Sequence, residues 1–277
     1  MDISDTPYYD IIKMIKTFVY DHKIEVFKRR YSMPALVIGF LVSLIPSLLY
    51  YFWFKKFRED PLYKETCKNA FWKGVYAILP ILGLSFVFNL VSKLLPFEKG
   101  TIPYDLFHTF IVLALAEELV KYYMGVKVIK EAKHDISHLD IIVIMGIVGI
   151  AFGLAEDIPY AIGANVPTMI VRGVTMGHGI YGMTMGYLYG KHIKKGGKAP
   201  IISIIIPWLF HGAYDFGLSQ SFMDLGEYSA FLSVSIALLE FIFLFVYIFF
   251  IRKARKKEKY TAVVIKKTVE EPIEQQH

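Results

Sequence analysis

Residues 141–157 read Ile141-Ile142-Val143-Ile144-Met145-Gly146-Ile147-Val148-Gly149-Ile150-Ala151-Phe152-Gly153-Leu154-Ala155-Glu156-Asp157, an unbroken apolar or small run closed by two acids. At ~1.5 Å per residue, a helix over this block and its flanks crosses most of a ~30 Å hydrocarbon layer. The same texture fills the 277-residue chain, which is 55% hydrophobic, 16% aromatic and only 20% charged, with a mean hydropathy of +0.44. Its apolar residues gather in blocks of ~20 and not in short core-facing stripes, which excludes an ordinary water-soluble domain.

The expected fold is therefore an all-α polytopic transmembrane bundle, with seven spans near 34–54, 70–95, 105–128, 140–163, 167–190, 200–222 and 230–251. The transmembrane domain takes residues 34–251, and a second globular domain of ~50 residues or more has no room. Before it, Ile11, Ile12, Ile15, Phe18 and Val19 alternate at helical spacing with Asp10, Lys13, Lys16 and Asp21, the pattern of an amphipathic interfacial segment over 1–33. No short basic-then-apolar leader precedes the first block. Residues 252–277 read as a basic, disordered tail.

The net charge of +6 does not point to nucleic acid, because the basic residues flank apolar blocks. Loops 55–69, 127–139 and 191–199 with the tail carry twenty Lys and Arg, against eight on the opposite side. That asymmetry predicts an integral protein of the cell membrane with a cytoplasmic C-terminus, although six of the eight lie before the first span. A single cysteine, Cys67, is expected in a loop and gives redox chemistry no support. Gly149 and Gly153, Gly173 and Gly177, and Gly182, Gly186 and Gly190 recur four apart, the spacing that lets membrane helices approach closely.

Against this background several charges are out of place. Span three contains Ala116-Glu117-Glu118-Leu119-Val120-Lys121. Each charge there costs ~2.5–3.5 kcal/mol on insertion scales. Lys121 lies four residues after Glu117 and three after Glu118, so it neutralises one carboxylate while the other needs a partner across the bundle or a proton. Span four adds Glu156, with Asp157 beside it and Pro159 disturbing the helix; span five carries Arg172 and His178; span six carries His211 and Asp215 on one face. Arg172 is expected to pair with Asp157, and Glu240, in span seven, to make a structural hydrogen bond. Glu117, Glu118, Glu156, His178, His211 and Asp215 should then face one polar cavity between spans three to six, because four successive helices do not retain such costly groups separately.

Glu117-Glu118-x-x-Lys121, Phe152-x-x-x-Glu156, His178 in a glycine-rich span and His211-x-x-x-Asp215, in that order, resemble the motifs of the PrsW family of intramembrane proteases. That family lies within the wider group of CAAX prenyl endopeptidases and bacteriocin-processing enzymes. The resemblance covers residues 105–222 and leaves spans one, two and seven unassigned. It implies hydrolysis of a peptide bond in a membrane-anchored protein, in the bacterial case an anti-sigma factor. On that basis Glu117 or Glu118 activates a water, and His211 and His178 stabilise the oxyanion or protonate the leaving group. Glu156 and Asp215 position the water and the histidines, and Lys121 holds the paired glutamate ionised. Phe152 and Arg172 support the site.

No cofactor is required by this chemistry. Zinc held by the histidines and carboxylates is the alternative, placed second because no HExxH helix and no His-x-x-x-His pair occurs in a span. A proton- or cation-coupled transporter and a non-catalytic scaffold are the competing functions; the motif run appears once, without the internal repeat usual in transporters.

Overall fold

The computed structural model describes residues 33–163, 169, 172–173, 176–193 and 201–274, and no strand occurs among them. The helices are α1 (Met33–Lys55), α2 (Pro61–Tyr76), α3 (Ile78–Ser92), α4 (Ile102–Phe107), a π-helical stretch (His108–Leu115), α5 (Ala116–Glu131), α6 (His138–Gly163), α7 (Gly177–Ile193), α8 (Ile202–Gly217), α9 (Gln220–Met223) and α10 (Glu227–Glu274). The expected interfacial segment, 1–33, lies outside the described residues except for Met33, which opens α1.

Local chemistry sets the starts of the helices. Asp60 accepts the Leu62 amide at 2.9 Å and Pro61 occupies the first turn of α2, where its missing N–H costs nothing. Ser137 and Asp140 exchange side-chain-to-backbone bonds at 2.8 and 3.1 Å, a reciprocal cap that starts α6. Because Pro61 and Asp60 nucleate a helix, Cys67 is not in a loop but on α2, and it is fully buried. Pro159 does not end α6, which continues to Gly163; the proline removes one backbone bond while the rest of the ladder continues. The backbone of α10 stays helical to Glu274, through the segment expected to be a disordered tail. That stretch begins Arg-Lys-Ala-Arg-Lys-Lys-Glu-Lys, all good helix formers.

Among the described residues, Pro61–Ser92, His138–Tyr160 and Val234–Lys256 are long and apolar enough to cross a membrane, and Phe40–Lys55 is apolar but shorter. The other expected spans miss that standard for physical reasons. Helices α7 and α8 have 17 and 16 residues, or about 24–26 Å of rise. The continuous run from α4 to α5 carries Asp105, Glu117, Glu118 and Lys121. Span two, expected at 70–95, meets that standard within Pro61–Ser92, but it starts earlier and is built of two helices, α2 and α3, meeting at Ala77.

Helix α6 is the centre of the bundle. Ile141 to Phe152 are almost all buried, packed by α1, α2, α5 and α7. Its tightest neighbour is α7, and glycine makes that possible. A Cβ on Gly149 would collide with the carbonyl oxygen of His178, one on Gly182 with that of Met145, and one on Gly186 would lie 2.8 Å from that of Ile141. Gly177, by contrast, faces Glu240 of α10. The outer helices turn large apolar side chains outward, among them Leu49, Leu79, Leu82, Phe231, Phe245 and Phe249. Such belts need lipid, and the chain is an integral membrane protein.

Candidate active site

The eight-residue π-helical stretch leads directly into α5 and sets the azimuth at which Glu117 and Glu118 project; π-helical turns of this kind recur at functional sites. Both glutamates and Lys121 are buried. Lys121 Nζ lies 2.6 Å from Glu118 Oε1 and 3.6 Å from Glu117 Oε2. It also donates to His178 Nδ1 at 3.0 Å and sits 4.8 Å above the Phe152 ring. One ammonium thus compensates two carboxylates and fixes an imidazole.

His178, one residue into α7, fits against α6 because Gly153 has no side chain: a Cβ there would lie 2.9 Å from the imidazole Cδ2. Its Nε2–H donates to Glu156 Oε2 at 2.7 Å, so Nδ1 is the free-lone-pair nitrogen and turns toward Lys121 and Glu117. The same Glu156 oxygen accepts from Arg172 at 2.7 Å, and Arg172 Nε donates to Asp157 Oδ1 at 2.7 Å. The Ser43 hydroxyl of α1 also donates to Asp157. Arg172 lies 4.0 Å over the Tyr160 ring.

His211 of α8 stands among three carboxylates. Its Nδ1–H donates to Glu118 Oε1 at 2.8 Å, while Nε2 lies 3.3 Å from Asp215 Oδ2 and 3.8 Å from Glu117 Oε2. Gly212 lets α8 approach the π-helical stretch, since a Cβ there would strike the Phe110 ring. Tyr181 stacks on His211, ring centroids 5.0 Å apart and planes 23° from parallel, and its hydroxyl donates to Glu240.

The structure brings Glu117, Glu118, Glu156, His178, His211 and Asp215 into one connected cluster. The expectation that all six line one cavity needs correction. Glu156, Arg172, His178, His211, Asp215 and Glu240 line one cavity, whereas Glu117 and Glu118 lie behind the two histidines. Arg172 pairs with Asp157 as expected and with Glu156 besides. Sequence reasoning missed four contributors. Tyr181 carried a usable signal, being three residues after His178 and so on its face. Ser43 and Ser47 of α1 did not, because nothing in an apolar helix marks which serine faces inward. Glu240 was visible as the acid of an apolar span, without indication that it reaches this cavity.

The side-chain chemistry also bears on a metal. Glu117, His178 and His211 each offer a ligand atom, all within 4.8 Å of one another. Glu117 Oε2 is buried and accepts no hydrogen bond. Two imidazoles and a carboxylate are a donor set that suits a catalytic zinc ion, so this trio could hold one.

Comparison with known proteins agrees with this geometry. The profile described as "PrsW family intramembrane metalloprotease" matches residues 66–265, beyond the 105–222 of the motif resemblance and reaching into α10 past Glu240. "Protease PrsW" of Bacillus subtilis (strain 168) is 28% identical over 180 residues, covering 62% of this chain and 78% of that protein. "Protease PrsW" of Oceanobacillus iheyensis is 27% identical, over 61% and 77%. That of Clostridioides difficile (strain 630) is 26% identical, over 64% and 77%. No solved structure gives a significant match. With four motifs clustered in a buried polar site and 200 consecutive residues matched, the chain belongs to the PrsW family of intramembrane proteases.

Proposed function

We propose that this peptidase cleaves a membrane-anchored protein, of the anti-sigma-factor kind that the resemblance implies, by a water activated at Glu117. One observation carries the assignment. Glu117 Oε2 is buried without a hydrogen-bond partner and lies 3.8 Å from both imidazoles, whereas Glu118, whose Oε2 is likewise without a partner, has its Oε1 engaged by both Lys121 and His211. Glu118 therefore acts as a holder, and Glu117 keeps an oxygen for a proton.

Glu117 takes the proton of the attacking water. His211, set among Glu117, Glu118 and Asp215, stabilises the oxyanion and gives the leaving amine its proton. Asp215 holds His211 from the cavity side, and Glu156, steadied by Arg172, fixes the orientation of His178. Lys121 offsets the charge of the glutamate pair, 2.6 Å from Glu118 and 3.6 Å from Glu117. Glu117, His178 and His211 would also hold a zinc ion, which when bound would act as a Lewis acid on water or the scissile carbonyl.

The short helices α7 and α8 and the charged run 102–131 complete a seven-span bundle, with α1, the α2–α3 pair, α6 and α10, in the cell membrane. The basic ends of α1 and α10 sit on the cytoplasmic side. Supporting that arrangement, Arg255 donates to the Lys56 carbonyl at 2.9 Å and Arg252 lies 5.8 Å from the Trp53 ring, so the two basic ends share one face.

The test is co-expression with a panel of single-span membrane proteins, followed by cleavage with the purified, reconstituted enzyme before and after chelation. Cleavage lost in Glu117→Gln supports the assignment; cleavage lost on chelation and restored by zinc assigns the ion. A protein that moves ions and cuts nothing would contradict the account.

A further inference from the structure

Glu240 stands where a charge is costly. It lies in the apolar stretch of α10, with Leu238, Leu239, Ile242 and Phe245 exposed around it, yet it is only 4% exposed itself. A carboxylate at mid-span has to be satisfied by the bundle. The partner is Tyr181, which is also 4% exposed and donates its hydroxyl to Glu240 Oε1. Tyr181 in turn stacks its ring on His211, 5.0 Å away and 23° from parallel. Gly177 keeps the space open: a Cβ there would lie 3.3 Å from Glu240 Oε2 and 3.6 Å from the Tyr181 hydroxyl.

We infer that Glu240 and Tyr181 form a positioning relay that fixes the His211 ring through its face. The two ring nitrogens of His211 are directed by Glu118 and Asp215, but bonds at the nitrogens leave the ring free to rock out of plane. A stacked tyrosine restrains that motion only if its own ring is held, and the Glu240 bond at the far end of the phenol holds it. The relay joins α10, α7 and α8. Glu240 bonds Tyr181 and not the groups assigned to the chemistry, so it acts through Tyr181. Simple glue between α7 and α10 would leave the arrangement of His211 unaffected, and this separates the two explanations.

The inference rests on the protease reading, and the experiment keeps the two apart. Wild type, His211→Ala, Tyr181→Phe, Glu240→Leu, Glu240→Gln and the double variant Tyr181→Phe/Glu240→Leu are purified in the same lipid. The kcat and KM for one single-span substrate are measured beside folded yield. Tyr181→Phe and Glu240→Leu should each lower kcat about 10-fold, the effect usual for removing a partner that orients an active-site histidine, with KM and yield unchanged. The double variant should match either single, because both remove one bond. Glu240→Gln, whose amide oxygen still accepts, should recover kcat to within about threefold of wild type. Glu240→Leu with wild-type kcat overturns the relay, as does a double variant whose loss is the product of the singles, or a defect in yield alone. A wild-type chain as inert as His211→Ala would overturn the protease reading itself.

Discussion

Replacing Lys121 by methionine removes the ammonium that compensates Glu117 and Glu118 while keeping most of the side-chain volume. Lys121 is 1% exposed and Glu118 0%, and the ammonium lies 2.6 Å from Glu118, 3.6 Å from Glu117 and 3.0 Å from His178, interactions that a thioether cannot replace. Breaking a buried pair on one side costs about 3–5 kcal/mol, because a charge stays behind without compensation. The insertion cost of one mid-span charge, about 2.5–3.5 kcal/mol, gives an independent figure that overlaps at ~3 kcal/mol. Set against a typical stability of about 5–15 kcal/mol, the variant should fold but unfold at clearly lower denaturant. Unfolding by SDS in mixed micelles, followed by tryptophan fluorescence, measures the difference. Adding Glu118→Gln removes the stranded charge and keeps an acceptor for His211, so the double variant should regain about half of the loss or more. A Lys121→Met protein as stable as wild type, or a double variant as unstable as the sum of the two singles, would refute the reasoning.

Gly149→Ala should reduce folded yield, by about 1–3 kcal/mol of overpacking, since its Cβ meets the fixed His178 carbonyl; Gly83→Ala, with nothing within 4 Å, should leave yield unchanged. Ser43→Ala should cost about 1.5–3 kcal/mol in the same SDS titration, the worth of a hydrogen bond to a charged group, by releasing α1 from Asp157. Single cysteines at Lys133 and at Lys99, in a Cys67→Ala background, should label from the cytoplasmic and the opposite side respectively, and the reverse pattern would invert the topology.

Much of this architecture was legible because membrane physics writes in blocks. The all-helical class followed from ~20-residue apolar runs, and the α6–α7 contact from glycines four apart in Gly149–Gly153 and Gly182–Gly186. The site was legible for the same reason: Glu117, Glu118, Lys121, His178 and His211 are too costly in an apolar helix to be incidental. What failed was resolution along and around the helices. Pro61 and Asp60 nucleate α2 earlier than a hydropathy block suggests, so Cys67 moved from loop to core. The depth of Glu117 and Glu118 behind the histidines depends on helix azimuth, which the eight-residue π-helical stretch sets and no residue pattern announces. The reach of Tyr181 to both His211 and Glu240 is a long-range contact between three helices, and only one of its members carried a recognisable motif.

The central claim, that Glu117 supplies the base while Glu118 holds its neighbours, is tested most directly by comparing Glu117→Gln with Glu118→Gln on one reconstituted single-span substrate. Glu117→Gln should lower kcat/KM by about 10²–10⁴-fold, the contribution of a positioned acid–base group, while accumulating in the membrane like wild type. Glu118→Gln should retain measurably more activity and lose more stability, since its carboxylate bonds Lys121 at 2.6 Å and His211 at 2.8 Å. A fully active Glu117→Gln enzyme would contradict the account.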